Sequence, residues 1–139
     1  MQESDYRLQV MLKEALAGEK MAESNYLLMQ EAAPPADKES IFTIACEESR
    51  HFLLLQSLYY ELFGVMPPEV RIAASMPQGY RQMLKTSICD ELEAVAFYKQ
   101  LAACLKCLRH QELVCFIIND EKNHARVLAA IYKRADYFS

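Results

Sequence analysis

Six ionisable side chains in this 139-residue sequence stand where helical periodicity demands apolar ones, and few folds tolerate that. Four segments carry apolar residues at steps of three and four, the spacing of one helical face. The first runs from about Asp5 to Glu31, with Leu8, Leu12, Ala15, Ala22, Tyr26 and Met29 on one side. The second runs from about Asp37 to Phe63, with Ile41, Ile44, Leu55, Leu58 and Leu62. The third spans about Gly79 to Leu108, with Leu84, Ile88, Val95, Tyr98, Ala102 and Leu105. The fourth spans about His110 to Tyr137, with Val114, Ile117, Leu128 and Ile131. Each seam is broken near its middle. Glu19 falls between Ala15 and Ala22, and Glu48 with His51 between Ile44 and Leu55. Glu91 falls between Ile88 and Val95, and Glu121 with His124 between Ile117 and Leu128.

Antiparallel packing of four such helices brings the six residues to about one level. A buried, unpaired carboxylate costs several kcal/mol even after relaxation, and no lysine or arginine lies on these seams to offset four of them. Cations supply what the sequence lacks: two divalent ions balance the formal charge of −4. In Glu-x-x-His, residues i and i+3 share one helical face, so a single turn offers a carboxylate oxygen and an imidazole nitrogen together. Oxygen and nitrogen donors without thiolate favour iron or manganese over structural zinc. One Glu from each of two helices, plus Glu-x-x-His from each of the other two, matches the ligand pattern of dimetal carboxylate bundles.

The halves of the chain repeat one another. Glu19-x-x-Ala22-x-x-x-Tyr26 matches Glu91-x-x-Ala94-x-x-x-Tyr98, and Glu48-x-x-His51 matches Glu121-x-x-His124. Ala33-Pro34-Pro35 breaks the chain between the first two segments, since proline lacks a donor and clashes with the preceding turn. The turn before His110 is equally short, so each half is an antiparallel helical hairpin. Val65 to about Gln78, with Pro67, Pro68 and Pro77, shows no sustained period and forms a long crossover. The expectation is an all-α, four-helix, single-domain architecture over residues 1–139. Ser4 or Asp5 is the expected N-cap of the first helix, and Gly64 the C-terminal exit of the second.

Composition narrows the function classes. There is no basic run to track a phosphate backbone, which argues against nucleic-acid binding. No apolar stretch approaches the ~20 residues of a membrane span. The acidic N-terminus lacks the basic-then-apolar order of an export signal. A cytoplasmic location is expected, where the five cysteines (Cys46, Cys89, Cys104, Cys107 and Cys115) read mostly as small buried thiols.

At Ala17-Gly18-Glu19, Glu48-x-x-His51, Glu91-x-x-Ala94-x-x-x-Tyr98 and Asp120-Glu121-x-x-His124 the sequence resembles the rubrerythrin branch of the ferritin-like superfamily. The resemblance covers all four helices and implies a ferritin-like bundle holding two iron ions, with manganese or a mixed pair as the alternative. It implies that Glu48 and Glu121 bridge the metals, that Glu19 and Glu91 are terminal, and that each histidine binds one metal. It further implies an oxidoreductase that reduces hydrogen peroxide or dioxygen. Rubrerythrins carry a C-terminal rubredoxin domain, which this sequence lacks, so the electron donor is expected to be a separate, rubredoxin-like protein. They also carry a further carboxylate one turn after the third-helix ligand. That position is Ala94 here, and Glu93 lies about 100° away around the helix. Iron storage in a ferritin-like assembly is the competing reading.

Other residues take lesser roles. Tyr26 and Tyr98 are candidates to hydrogen-bond ligand carboxylates. Glu47 and Asp120 each precede a histidine by four residues and read as ordinary surface pairing, the alternative being a carboxylate that orients an imidazole. Cys104-Leu-Lys-Cys107 lacks the second pair that a zinc or rubredoxin site needs. Gly18, helix-breaking by ~1 kcal/mol, is read as making room for a neighbouring helix or a moving carboxylate. His110 has no acidic seam around it and is not assigned to metal. Tyr59, Tyr60 and Phe63, clustered near the end of the second helix, suggest a homodimer.

Overall fold

The computed structural model describes residues 2–138, with side chains through Arg134; Met1 and Ser139, the ends of the expected domain, lie outside the described residues. Four helices make up the architecture: α1 (Glu3–Ala32), α2 (Pro35–Phe63), α3 (Tyr80–Cys104) and α4 (Leu108–Phe138). No strand occurs among the described residues.

The helix ends follow local chemistry. α1 begins before both expected caps, at Gln2, which makes no side-chain cap. Instead Glu3 and Asp5 place negative charge in the first turn, where the helix dipole favours it. Pro34 is extended and Pro35 opens α2 two residues earlier than expected, as suits a residue with no amide hydrogen to satisfy. Gly64 ends α2 in the left-handed region at φ 73°, donating its N–H to the Tyr60 carbonyl. α3 stops at Cys104, short of the expected Leu108. Leu105 turns extended yet keeps its side chain in the core, and the Gln111 amide donates to its carbonyl at 2.7 Å.

α1 packs on α2 and α3 on α4, and the two hairpins meet through α1–α3 and α2–α4. Both cross-hairpin pairs are antiparallel. Along α1–α3, Tyr26 meets Glu91 while Glu19 meets Tyr98. Along α2–α4, Glu61 meets His110 while His51 meets Asp120. Tyr80 at the start of α3 donates to Asp37 at the start of α2 (2.9 Å), so residues 64–79 must travel the length of the bundle. A 29-residue helix is roughly 44 Å long. Sixteen residues cover that only when extended, at about 3.3 Å each or a little more. The prolines hold this segment open, and the Ser75 N–H clamps it to the Asn25 side chain at 2.8 Å.

The apolar core lies in two blocks. One contains Leu8, Leu12, Leu16, Leu55, Leu58, Leu101 and Ile117. The other contains Tyr26, Met29, Ile41, Ile44, Leu84, Leu128 and Ile131. Each fully buried aliphatic side chain contributes about 1.5–3 kcal/mol. Between the blocks, on every helix, stand the ionisable residues that interrupt the seams.

Two expectations about surface and core are corrected. Cys46, Cys89, Cys107 and Cys115 are exposed and only Cys104 is partly buried; each exposed helical cysteine sits beside a seam position, not on it. Tyr59 is buried, with its hydroxyl accepting from Gln9 at 2.8 Å, and Phe63 packs against the same block. Of the three aromatics only Tyr60 is exposed. No described helix is long and apolar enough to cross a membrane.

Candidate metal centre

Glu19, Glu48, His51, Glu91, Glu121 and His124 converge between the core blocks, each between 0% and 3% exposed. Their donor atoms form two overlapping groups, Glu19–Glu48–His51–Glu121 and Glu48–Glu91–Glu121–His124, each with its atoms within 4.8 Å of one another. Glu48 and Glu121 belong to both. Glu48 Oε1 lies 3.3 Å from His51 Nδ1 and 3.2 Å from His124 Nδ1. Glu121 Oε1 lies 3.2 Å from His51 Nδ1 and 3.4 Å from His124 Nδ1. Glu19 reaches only His51 (3.5 Å), and Glu91 only His124 (3.4 Å). The arrangement therefore has two central carboxylates and two flanking ones, related by the pseudo-twofold of the sequence repeat.

The partners outside this ring fix which atom of each residue faces inward. Tyr26 donates to Glu91 Oε1 and Tyr98 to Glu19 Oε1, both at 2.6 Å, each tyrosine serving the glutamate of the other hairpin. Burial and the adjoining carboxylate push both phenols well above their usual range, so they remain donors. Asp120 Oδ2 sits 2.7 Å from His51 Nε2, and Glu47 Oε2 3.2 Å from His124 Nε2. A carboxylate can only accept, so Nε2 carries a proton in each ring and Nδ1 is the nitrogen turned to the centre, free to ligate once it has lost its own proton. This overturns the surface-pairing reading of Glu47 and Asp120. Each reaches across to the histidine of the opposite helix, not along its own, and their partners lie 77 and 69 residues away.

What remains inside is a set of polar atoms with nothing to bond. Glu19 Oε2, Glu48 Oε1, His51 Nδ1, Glu91 Oε2, Glu121 Oε1 and His124 Nδ1 are buried and lack hydrogen-bond partners. Native proteins rarely leave such groups unsatisfied, and here one orphan comes from each of the six residues. The donor set therefore fits a pair of cations. Without them, protons take up the excess charge. Burial raises Glu19 and Glu48, and raises Glu91 to about 7. Burial pulls His51 down, but Glu121, Glu19 and Glu48 outweigh it and push the ring up to about 12; His124 is raised likewise by Glu121, Glu48 and Glu91. Burial opposes ionisation of Glu121 too, yet His124 and His51 hold it below its ordinary value.

A cavity of about 420 Å³ opens between α1 and α3 onto Glu19, Glu48, Glu91 and Glu121. Ala22, Ala94 and Gly18 form part of its wall. A Cβ added at Gly18 would meet no atom within 4 Å, so this glycine does not accommodate a neighbouring helix as its sequence position suggested. Glu93 is exposed at the same wall. His110 bonds Glu61 at 2.9 Å, away from the centre.

A family model described as Rubrerythrin matches residues 11–132. No match was found among curated proteins. Among solved structures, a hypothetical protein from Pyrococcus furiosus is 26% identical with a TM-score of 0.81, over 95% of this chain and 92% of that one. Ferritin-like, diiron-carboxylate proteins from Bacillus anthracis are 24% identical with a TM-score of 0.78, over 95% and 99%. Mycobacterium tuberculosis bacterioferritin is 16% identical with a TM-score of 0.79, over 94% and 87%. At such identities the last two speak for the fold.

Proposed function

This chain belongs to the rubrerythrin family, and from that premise we propose that it is a di-iron oxidoreductase reducing hydrogen peroxide or dioxygen with electrons from a separate, rubredoxin-like donor in the cytoplasm. The carrying observation is that six buried donor atoms without partners face one centre in two overlapping groups. Glu48 and Glu121 would be shared by the two ions. Glu19 with His51 would complete one position, and Glu91 with His124 the other. Manganese suits the same oxygen and nitrogen donors.

A pair of redox metals held by these residues would supply the two electrons that reduction of a peroxide requires. The chain's own residues prepare that chemistry. Tyr98 occupies Glu19 Oε1 and leaves Oε2 toward His51, while Tyr26 holds Glu91 through Oε1, the oxygen that also lies nearest His124, and leaves Oε2 without a partner. Asp120 and Glu47 hold the imidazoles in the tautomer that ligates. The cavity between α1 and α3 gives a small oxidant a way to the flanking and shared carboxylates, while the apolar blocks close the centre toward the two ends of the bundle.

Anaerobic titration with ferrous iron, followed by peroxide and monitored by absorbance, tests this. Saturation at two irons per chain and repeated turnover with a rubredoxin-like reductant are expected. A single oxidation without turnover under any donor would remove the enzymatic reading, and uptake of many irons per chain would replace it with storage.

A further inference from the structure

The six residues at the centre follow the pseudo-twofold of the sequence, but the groups behind the two histidines do not. On the His51 side, Arg50 Nη2 lies 3.9 Å from Asp120 Oδ2, the carboxylate that accepts from His51. The Arg50 guanidinium also stacks over Phe116 at 5.2 Å from the ring centroid, and Phe116 stands edge-on to His51 at 6.3 Å. A cation and an aromatic ring thus close over the outer edge of that imidazole. On the His124 side the repeat puts Asn123 where Arg50 stands, and Thr43 where Phe116 stands. Glu47, which accepts from His124, has no lysine or arginine nitrogen within 4.0 Å among the described residues. Arg126 donates to Asn123 Oδ1 instead. A cavity of about 270 Å³ between α2 and α4, lined by Ser40, Thr43, Glu47, Asn123 and His124, opens beside it.

We infer that the two metal positions are inequivalent: the Glu91–His124 position binds more tightly and fills first, because Arg50 weakens the Glu19–His51 position through Asp120. This rests on the dimetal reading above. The guanidinium draws on the charge of Asp120, so His51 donates to a poorer acceptor and presents a less electron-rich Nδ1. It also repels an incoming cation directly. His124 keeps an undivided carboxylate behind it and a polar opening at its side. The larger cavity between α1 and α3 reaches Glu19 and Glu91 alike, so it does not discriminate. Arg50 is a positioning residue with a side chain 58% exposed, so solvent screens it. The difference in affinity should be roughly three- to ten-fold, at or below the low end of what outer carboxylates confer.

The full chain is crystallised with one equivalent of Mn²⁺ and the two occupancies are read from anomalous scattering. Solution binding isotherms accompany them. At one equivalent, two independent positions fill in the ratio of the square root of their affinities, so roughly two- to three-fold higher occupancy beside His124 is expected. Arg50→Gln, at an exposed position that should not perturb folding, should bring the occupancies close together, and Arg50→Lys should restore the gap. Equal occupancies in the wild type, or greater occupancy beside His51, would overturn the inference while leaving a dimetal centre intact. A gap undiminished in Arg50→Gln would overturn the role of Arg50. No bound Mn²⁺ at either position would overturn the dimetal reading itself.

Discussion

Glu48 and Glu121 each touch both histidines, whereas Glu19 and Glu91 touch one apiece. Substitutions should divide along that line. Glu48→Gln should weaken both metal positions, by at least the roughly 10- to 100-fold that loss of an outer carboxylate costs. Glu19→Gln should leave a stoichiometry near one, read by calorimetry. The metal-free Glu48→Gln protein should melt higher than metal-free wild type, since burial disfavours the charge removed. Protons and metals compete for this cluster, which sets the sign of the pH dependence. Glu91, raised to about 7, binds more protons folded than unfolded from pH 4.5 upward, so its contribution to stability is lost as pH rises to about 7. His51, raised to about 12 from 6.5, extends the same loss to higher pH. Metal-free protein should therefore melt progressively lower from about pH 5 to pH 9. Metal affinity should rise over the same range, because binding expels those protons. A flat melting profile for metal-free protein would contradict this account of how its charge is neutralised.

At the scale of the helices, a 3.6-residue period assigns any residue between two seam positions to the interior, whatever its polarity. That is why Glu19, Glu48, His51, Glu91, Glu121 and His124 were legible as a buried set from sequence. Glu47 and Asp120 were not, because their partners sit on the opposing helix and the pairing depends on the α2–α4 register. Only packing fixes that register. Tyr59 could have been found: Leu55, Leu58, Tyr59 and Leu62 follow the i, i+3, i+4, i+7 spacing of a wide buried stripe. The end of α3 depended on the Gln111 side chain capping Leu105, a contact that periodicity does not encode. Gly18 illustrates a residue whose local cost has no packing reason. With open space where its Cβ would go, Gly18→Ala should stabilise α1 by about 1 kcal/mol. The melting temperature should rise by about 3 °C. The same methyl group intrudes on the cavity between α1 and α3, so slower oxidation by peroxide alongside the higher melting temperature would tie Gly18 to access to the centre.

For the whole molecule, the two apolar blocks are separated by a layer that no apolar contact can stabilise. Each block draws residues from all four helices, so the blocks hold the hairpins together at both ends of the bundle while the middle is left with carboxylates facing one another. Ions bound there add to folding free energy directly, because an unfolded chain does not preform the site. At a free metal concentration one hundred times the dissociation constant, one occupied position contributes about 2.7 kcal/mol. For a chain of this length that corresponds to a rise in melting temperature of roughly 9 °C. The rise should continue as the second position fills and stop at two ions per chain. Ferrous and manganous ions should both produce it, while calcium should do so weakly, since imidazole ligands suit it poorly. Glu48→Gln should lose nearly all of this stabilisation, and Glu19→Gln about half, although both should fold without metal because neither apolar block is touched. A bundle whose melting temperature ignores these ions would mean that protons alone neutralise the central layer, and the dimetal assignment would then fail for the molecule as a whole.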